Sequence, residues 1–267
     1  MARRHVASSQ EPGGGSPDEE IARLAEGLAL TALRAAYSTI VAAAEQEKCS
    51  YSDFVLRLLK AEVSQRTARQ EERARKRSKL GPEATLDGFD FSARPGLDAR
   101  VVRELLHCRF AAERRGIVLV GPSGTGKTHV CRAIGHAAVR LGYTVLYTTA
   151  AEATELLASS LVDGTYKKAL RLLTKFDILI LDEFGMLGFD SKASRHLFRL
   201  VSERYQKSST IIAANTGFKK WKTFFPSDAE CVATVDRLID KATILRFGGK
   251  PWRTPAATHG APLPDES

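Results

Sequence analysis

The densest chemistry in the chain lies in Gly121-Pro122-Ser123-Gly124-Thr125-Gly126-Lys127-Thr128. The run fills every fixed position of the phosphate-binding pattern G-x-x-x-x-G-K-[ST]. Glycines at these places let the backbone curl around an anion, with positive φ and no Cβ in the way. Successive N–H groups then face phosphate oxygens, and the helix that follows offers its positive end. Lys127 is spaced to reach the β- and γ-phosphates of a nucleotide, and the Thr128 hydroxyl to ligate Mg²⁺. With His129 added, residues 121–129 form the expected ATP-binding segment.

Phosphate binding alone does not imply hydrolysis. A second apolar run, Ile178-Leu179-Ile180-Leu181, ends in Asp182-Glu183, which sets two carboxylates at the carboxyl edge of a strand, where α/β sheets place their ligands. Asp182 suits Mg²⁺, a hard cation that takes oxygen donors. Glu183, one residue on, points elsewhere and is the candidate to polarise an attacking water. A third apolar run, Thr210–Ala214, ends in Asn215, which can hold the water or the γ-phosphate from the other side. Hydrolysis also builds charge on the transferring phosphate, which an arginine from a neighbouring subunit can offset. Arg237, in Asp236-Arg237-Leu238, is the candidate; an ordinary surface arginine is the other reading.

These residues need a frame, and the chain supplies alternating helix and strand signals, the pattern of a parallel, doubly wound α/β sheet. The expected strands are Ile117–Val120, Thr144–Thr148, Asp177–Leu181, Thr210–Ala214 and Thr243–Phe247. Between them fall a helix from the phosphate loop to Leu141, the helix AEATELLASSL, a short basic amphipathic helix at 166–175, one at 191–206 and one near 230–240. Asp98 caps a helix that precedes the first strand.

Upstream of that core, Glu19 to about Lys48 reads as one helix with Ile21, Leu24, Ala25, Leu28, Ala32, Ala35 and Ala36 on one face. Ser50 and Asp53 open a second helix in the manner of a capping box, whose apolar face of Phe54, Val55, Leu58 and Leu59 is expected to close on the first. Past Leu59 the stripe fades and positive charge takes over. Arg66, Arg69, Arg73, Arg75, Lys76 and Arg77 are the candidate phosphate contacts of an arm that tracks double-stranded DNA; a solvated, charged helix is the bland reading. The net charge of +9 favours a polyanionic partner. Residues 1–17 and 251–267 read as disordered, 18–79 as a small helical domain, 80–97 as a Gly/Pro-rich linker and 98–250 as the ATPase domain. In the linker, Phe89 and Phe91 either anchor it on the core or lie near the adenine. No apolar run nears the ~20 residues that span a bilayer, so no membrane role is expected. The four separated cysteines, with no C-x-x-C pair, point to a reducing cytoplasm.

GPSGTGKTHV, DILILDEFG, SERYQKSSTIIAAN with the later Trp221, and TVDRLIDKATIL together resemble the IstB-like ATPases, transposition helpers of insertion sequences within the AAA+ group that includes DnaC-type helicase loaders. The linker LDGFDFSARPGLD and the preceding YSDFVLRLLKAEV are similar to that family too, so the resemblance spans roughly Ser50 to Arg253. It implies an AAA+ P-loop fold with five parallel strands in the order 5-1-4-3-2. It also implies ATP-dependent homo-oligomer assembly on DNA and partnership with a transposase. By position, Lys127 and Thr128 fall on Walker A, Asp182 and Glu183 on Walker B, Asn215 on sensor one and Arg237 on the trans arginine finger. The chain departs from the family at Gly249-Lys250-Pro251-Trp252-Arg253, where relatives usually read Gly-Glu-Ser-Tyr-Arg. Two rival readings are a helicase loader with the same ATPase core and a metabolic P-loop kinase; the kinase lacks an evident small-substrate site.

Overall fold

The computed structural model describes residues 16–250 apart from Leu187. The expected disorder of the first residues and of the tail beyond Lys250, with Arg253, lies outside the described residues. The chain divides after Glu72 into two compact units.

The N-terminal unit holds α1 (Pro17–Gly27), α2 (Thr31–Glu47) and the first part of α3 (Tyr51–Ser78). Ser16 and Glu19 form a reciprocal capping box at α1. The single helix expected from Glu19 to Lys48 is instead two, because the chain turns at 28–30 with Ala29 in the left-handed region at φ 55°. That break leaves the first N–H groups of α2 needing acceptors, and α2 has no capping side chain of its own. Glu62 of α3 supplies one: its Oε2 accepts from the N–H groups of Ala32 at 2.9 Å and Leu33 at 3.1 Å. Arg66 donates to the other oxygen of Glu62 at 2.7 Å, and Arg69 to the Thr31 hydroxyl at 2.6 Å. The apolar face expected on α3 is also divided. Phe54 and Leu58 are half-buried in line with Glu62, whereas Val55 and Leu59 are exposed.

The second unit begins with the end of α3 and the segment 80–97, which has no helix or strand yet is packed down at both ends, with Leu80 and Leu97 buried. Then come α4 (Ala99–Leu105), α5 (Arg109–Ala112), β1 (Ile117–Val120), α6 (Lys127–Arg140), β2 (Val145–Thr149), α7 (Ala150–Val162) and α8 (Tyr166–Thr174). The chain continues through β3 (Ile178–Phe184), α9 (Ser191–Arg204), β4 (Ser209–Ala214), a 3-10 helix at Phe218–Phe224, α10 (Asp228–Ile239) and β5 (Thr243–Arg246). Asp98, Thr149, Asp190 and Ser227 cap their helices through side-chain oxygens.

All strand pairs are parallel, in the order β2-β3-β4-β1-β5, which is 5-1-4-3-2 read from the other edge. Alternation along the strands builds two cores. Ile117, Leu119, Ile178, Ile180, Ile211 and Ala213 face the layer of α6, whereas Val118, Val120, Leu179, Leu181, Ile212 and Ala214 face that of α7 to α10. Helices on both faces are what parallel strands buried on both sides require. Arg204 is a charged side chain built into this frame. Arg204, 1% exposed, donates to the carbonyls of Leu173, Phe176 and Ser209, so the end of α8 and the entries to β3 and β4 share one cation. Burial lowers its pKa to about 10.

Candidate nucleotide-binding site

The phosphate loop leaves β1 at Gly121 and enters α6 at Lys127, with Gly124 and Gly126 at positive φ. Gly121 has a further reason to be glycine: a Cβ there would lie 2.2 Å from the Phe247 carbonyl oxygen, just past β5. Thr125, fully buried, donates its hydroxyl to the Pro122 carbonyl at 2.8 Å and pins the turn. Lys127, 5% exposed, donates to the carbonyls of Gly121 at 2.8 Å and Pro122 at 2.7 Å. Burial pushes its ammonium below the ordinary lysine value, while the Asp182 carboxylate pulls it back.

Asp182 and Glu183 lie inside β3, which was expected to stop at Leu181 and instead pairs through Phe184. A bulge makes the extension possible: Leu181 pairs with Ile212 and Phe184 with Ala214, so Asp182 and Glu183 together oppose Ala213. Glu183 takes a left-handed φ of 55° to close the bulge. As a result Phe184 turns back into the α9-side core, Asp182 stays buried on the α6 side, and Glu183 is exposed at the carboxyl edge.

Along that edge the ends of β3, β4 and β1 follow in order, so Asn215, directly after β4, falls between Asp182-Glu183 and the phosphate loop. The Gly121 N–H donates to the Ala214 carbonyl at 3.2 Å, which ties the start of the loop to the residue before Asn215. Behind Glu183 and Asn215 an aromatic group locks the two strand ends together. Phe184 packs on Trp221 with centroids 4.8 Å apart, and Trp221 donates its indole N–H to the Thr216 carbonyl at 3.0 Å. Gly185 meets Phe224 so closely that a Cβ would fall 2.0 Å from its ring.

The remaining expected site residues are distributed differently. Thr128 and His129 are exposed at the start of α6. His129 turns to the 80–97 segment, donating from Nε2 to the Thr85 carbonyl at 2.6 Å and stacking on Phe89 with centroids 5.9 Å apart. Phe89 and Phe91 pack on the α6-side core, an anchor for that segment. Arg237 lies in the last turn of α10, ahead of β5. Because β5 runs parallel to β1, Arg237 stands at the sheet edge opposite its own phosphate loop. It donates to the Ala233 carbonyl at 2.6 Å and sits over the Phe198 ring at 4.8 Å. All six candidate DNA contacts are exposed on α3, Arg66 and Arg69 in the N-terminal unit and Arg73, Arg75, Lys76 and Arg77 in the second.

Sequence reasoning missed Tyr147 on β2. Its phenol donates to Asp182 Oδ2 at 2.7 Å, while the Glu183 N–H donates to Oδ1 at 2.8 Å. Only the β2–β3 register, with Tyr147 opposite Ile180, brings it there, and register across a crossover is not written in either strand. A carboxylate has about four lone-pair sites, so two remain on Asp182 for further donors. Such carboxylate oxygens suit Mg²⁺, which keeps most of its waters and takes one or two protein oxygens; Thr128, the residue after Lys127 in α6, is the other candidate oxygen.

A parallel sheet in this order, helices on both faces and a phosphate-loop motif between its first strand and the next helix make up the AAA+ P-loop fold. The chain belongs to the IstB-like ATP binding protein family, whose model matches residues 23–259. It is 33% identical over 235 residues to the ATP-binding protein of insertion sequence IS5376 of Geobacillus stearothermophilus, covering 88% of this chain and 94% of that one. To the ATP-binding protein of IS21 of Pseudomonas aeruginosa it is 33% identical over 210 residues, 79% of each. Among solved structures the fold is shared with AMPPCP-bound DnaA from Aquifex aeolicus, at TM-score 0.53 and 23% identity over 63% of this chain and 51% of that one. It is also shared with the DnaC helicase loader, at TM-score 0.50 and 18% identity over 62% of this chain and 97% of that one.

Proposed function

We propose that this protein is a Mg²⁺-dependent, DNA-binding ATPase that assembles on double-stranded DNA and assists the transposase of an insertion sequence. The observation that carries the ATPase reading is the carboxyl edge of β3, β4 and β1. Buried Lys127 and Asp182, exposed Glu183 and intervening Asn215 converge there on one phosphate loop. The loop N–H groups and Lys127 bind the phosphates. Thr128 and Asp182 would hold Mg²⁺, which when bound offsets charge on the β- and γ-phosphates. Glu183 orients the attacking water and takes its proton, and Asn215 fixes that water or the γ-phosphate opposite it. Arg237 completes a neighbour's site, since within one chain it stands at the wrong edge of the sheet.

Two different supports carry the DNA and transposase parts: the exposed basic run on α3 and the insertion-sequence origin of the relatives. The helicase-loader reading has only the likeness to DnaC behind it, which at 18% identity speaks for the fold alone. The test is ATP turnover with and without duplex DNA for wild type, Lys127→Ala and Glu183→Gln. Lys127→Ala should lose nucleotide binding, and Glu183→Gln should bind without turnover. Wild-type ATP affinity in Lys127→Ala, or turnover in Glu183→Gln, overturns the assignment. Co-purification with the product of an adjacent transposase gene in the presence of ATP and DNA tests the partner.

A further inference from the structure

Tyr147 stands in the middle of β2, an edge strand, and its ring packs on the α6-side core. Packing alone asks only for the ring, yet the phenol reaches across to Asp182 Oδ2 at 2.7 Å. Asp182 is 3% exposed, and its other oxygen accepts from the Glu183 N–H at 2.8 Å. A carboxylate held at both oxygens from two directions cannot turn about its side-chain bonds without losing both hydrogen bonds. Its two remaining lone-pair sites therefore keep a fixed aim.

The ring itself has a second partner. Arg132, on α6 five residues beyond Lys127, places its guanidinium 4.8 Å over the Tyr147 ring, with its Nε buried and without a hydrogen-bond partner among the described residues. A cation over the ring face is an attractive arrangement that fixes the ring plane. The same helix thus carries the lysine that meets phosphate and the arginine that steadies the tyrosine. The carboxylate between them receives its orientation from a strand that no phosphate-loop motif includes.

We propose that Tyr147 is a positioning residue of the nucleotide site, aiming the Asp182 carboxylate at the water shell of the nucleotide-bound Mg²⁺. This rests on the reading of the site as a Mg²⁺-dependent ATPase, and the two can be tested separately. Outer-shell partners of this kind typically contribute about tenfold or more to metal affinity, because a freed carboxylate must be re-ordered each time the ion binds.

The experiment is equilibrium binding of a fluorescent ATP analogue to the full chain, in EDTA and across a Mg²⁺ titration, in the Glu183→Gln background. Tyr147→Phe and Tyr147→Met both lack the hydroxyl but differ in packing. Both should leave affinity in EDTA within about twofold and raise the Mg²⁺ half-saturation roughly tenfold. Thermal unfolding should separate the two, with Met the less stable. The two effects moving apart is the signature of positioning, because a structural role would follow packing. An unchanged Mg²⁺ half-saturation in Tyr147→Phe overturns the proposal. So does a half-saturation that worsens from Phe to Met in step with stability. If the Glu183→Gln parent binds no nucleotide, or binds it indifferently to Mg²⁺, the ATPase reading fails instead, before Tyr147 is touched.

Discussion

At the scale of single residues, the candidate site sets a buried pair beside an exposed carboxylate. Lys127 and Asp182 are enclosed, while Glu183 is lifted to the surface by a left-handed φ of 55° that an L-residue adopts at some cost. The bulge is therefore part of the site and not an accident of the strand. Glu183→Gly should relieve the backbone and raise stability slightly or leave it unchanged, while turnover is lost. Urea unfolding and an ATPase assay on the same preparation check both halves. For Arg237, mixing Arg237→Ala with Glu183→Gln subunits should restore part of the hydrolysis, because each mutant spoils a different half of a shared interface. Mixtures that form oligomers yet stay inactive would remove Arg237 from that role.

At the scale of elements, two buried charges hold helices where their own sequences would not. Glu62 caps α2 from α3. Burial works to raise the pKa of this carboxyl, but the Arg66 guanidinium and the N–H groups of Leu33 and Ala32 together hold it below the ordinary glutamate value. A carboxyl whose folded pKa is depressed adds stability that is fully present above its unfolded value and is lost as pH falls through the folded one. Hydrogen exchange at Ala32 and Leu33 should accordingly be protected at pH 7 and lose protection relative to neighbouring α2 amides below the glutamate range. Glu62→Gln should show that loss already at pH 7. Arg204 is the counterpart in the second unit. Arg204→Met would strand buried carbonyls of Leu173, Phe176 and Ser209, at a cost of about 3 kcal/mol or more, measurable by urea unfolding. Arg204→Lys, with fewer donors, should recover only part.

At the scale of the whole molecule, the six basic candidates on α3 fall on either side of the division after Glu72 and differ in what they touch. Arg66 and Arg69 are engaged in holding α2, so their neutralisation should disturb the N-terminal unit as well as any DNA binding. Neutralising Arg73 and Arg77 should instead lower DNA affinity alike across sequences. It should also flatten the dependence of log affinity on log salt by about 0.9 for each phosphate that is no longer neutralised. Salt titrations of wild type and the double variant decide it, and an unchanged slope takes both residues out of the interface. No described helix is long and apolar enough to cross a membrane.

The phosphate loop, the acidic pair, the terminal Asn215 and the alternation of helix and strand were legible in the residues. Each is a local pattern: a glycine spacing, an apolar run with a polar end, a period of buried positions. Other features depended on pairing between distant segments. The register of β2 on β3 brings Tyr147 to Asp182, and the bulge against β4 carries β3 past Leu181 to Phe184. The break between α1 and α2 is stabilised by a glutamate some thirty residues away that no helix periodicity announces. Sequence by itself determined the family and the candidate site residues, because a phosphate-binding motif is a set of particular residue types at particular spacings. Tertiary structure alone decided how those residues are aimed, because orientation comes from hydrogen bonds and packing between strands and helices far apart in the chain.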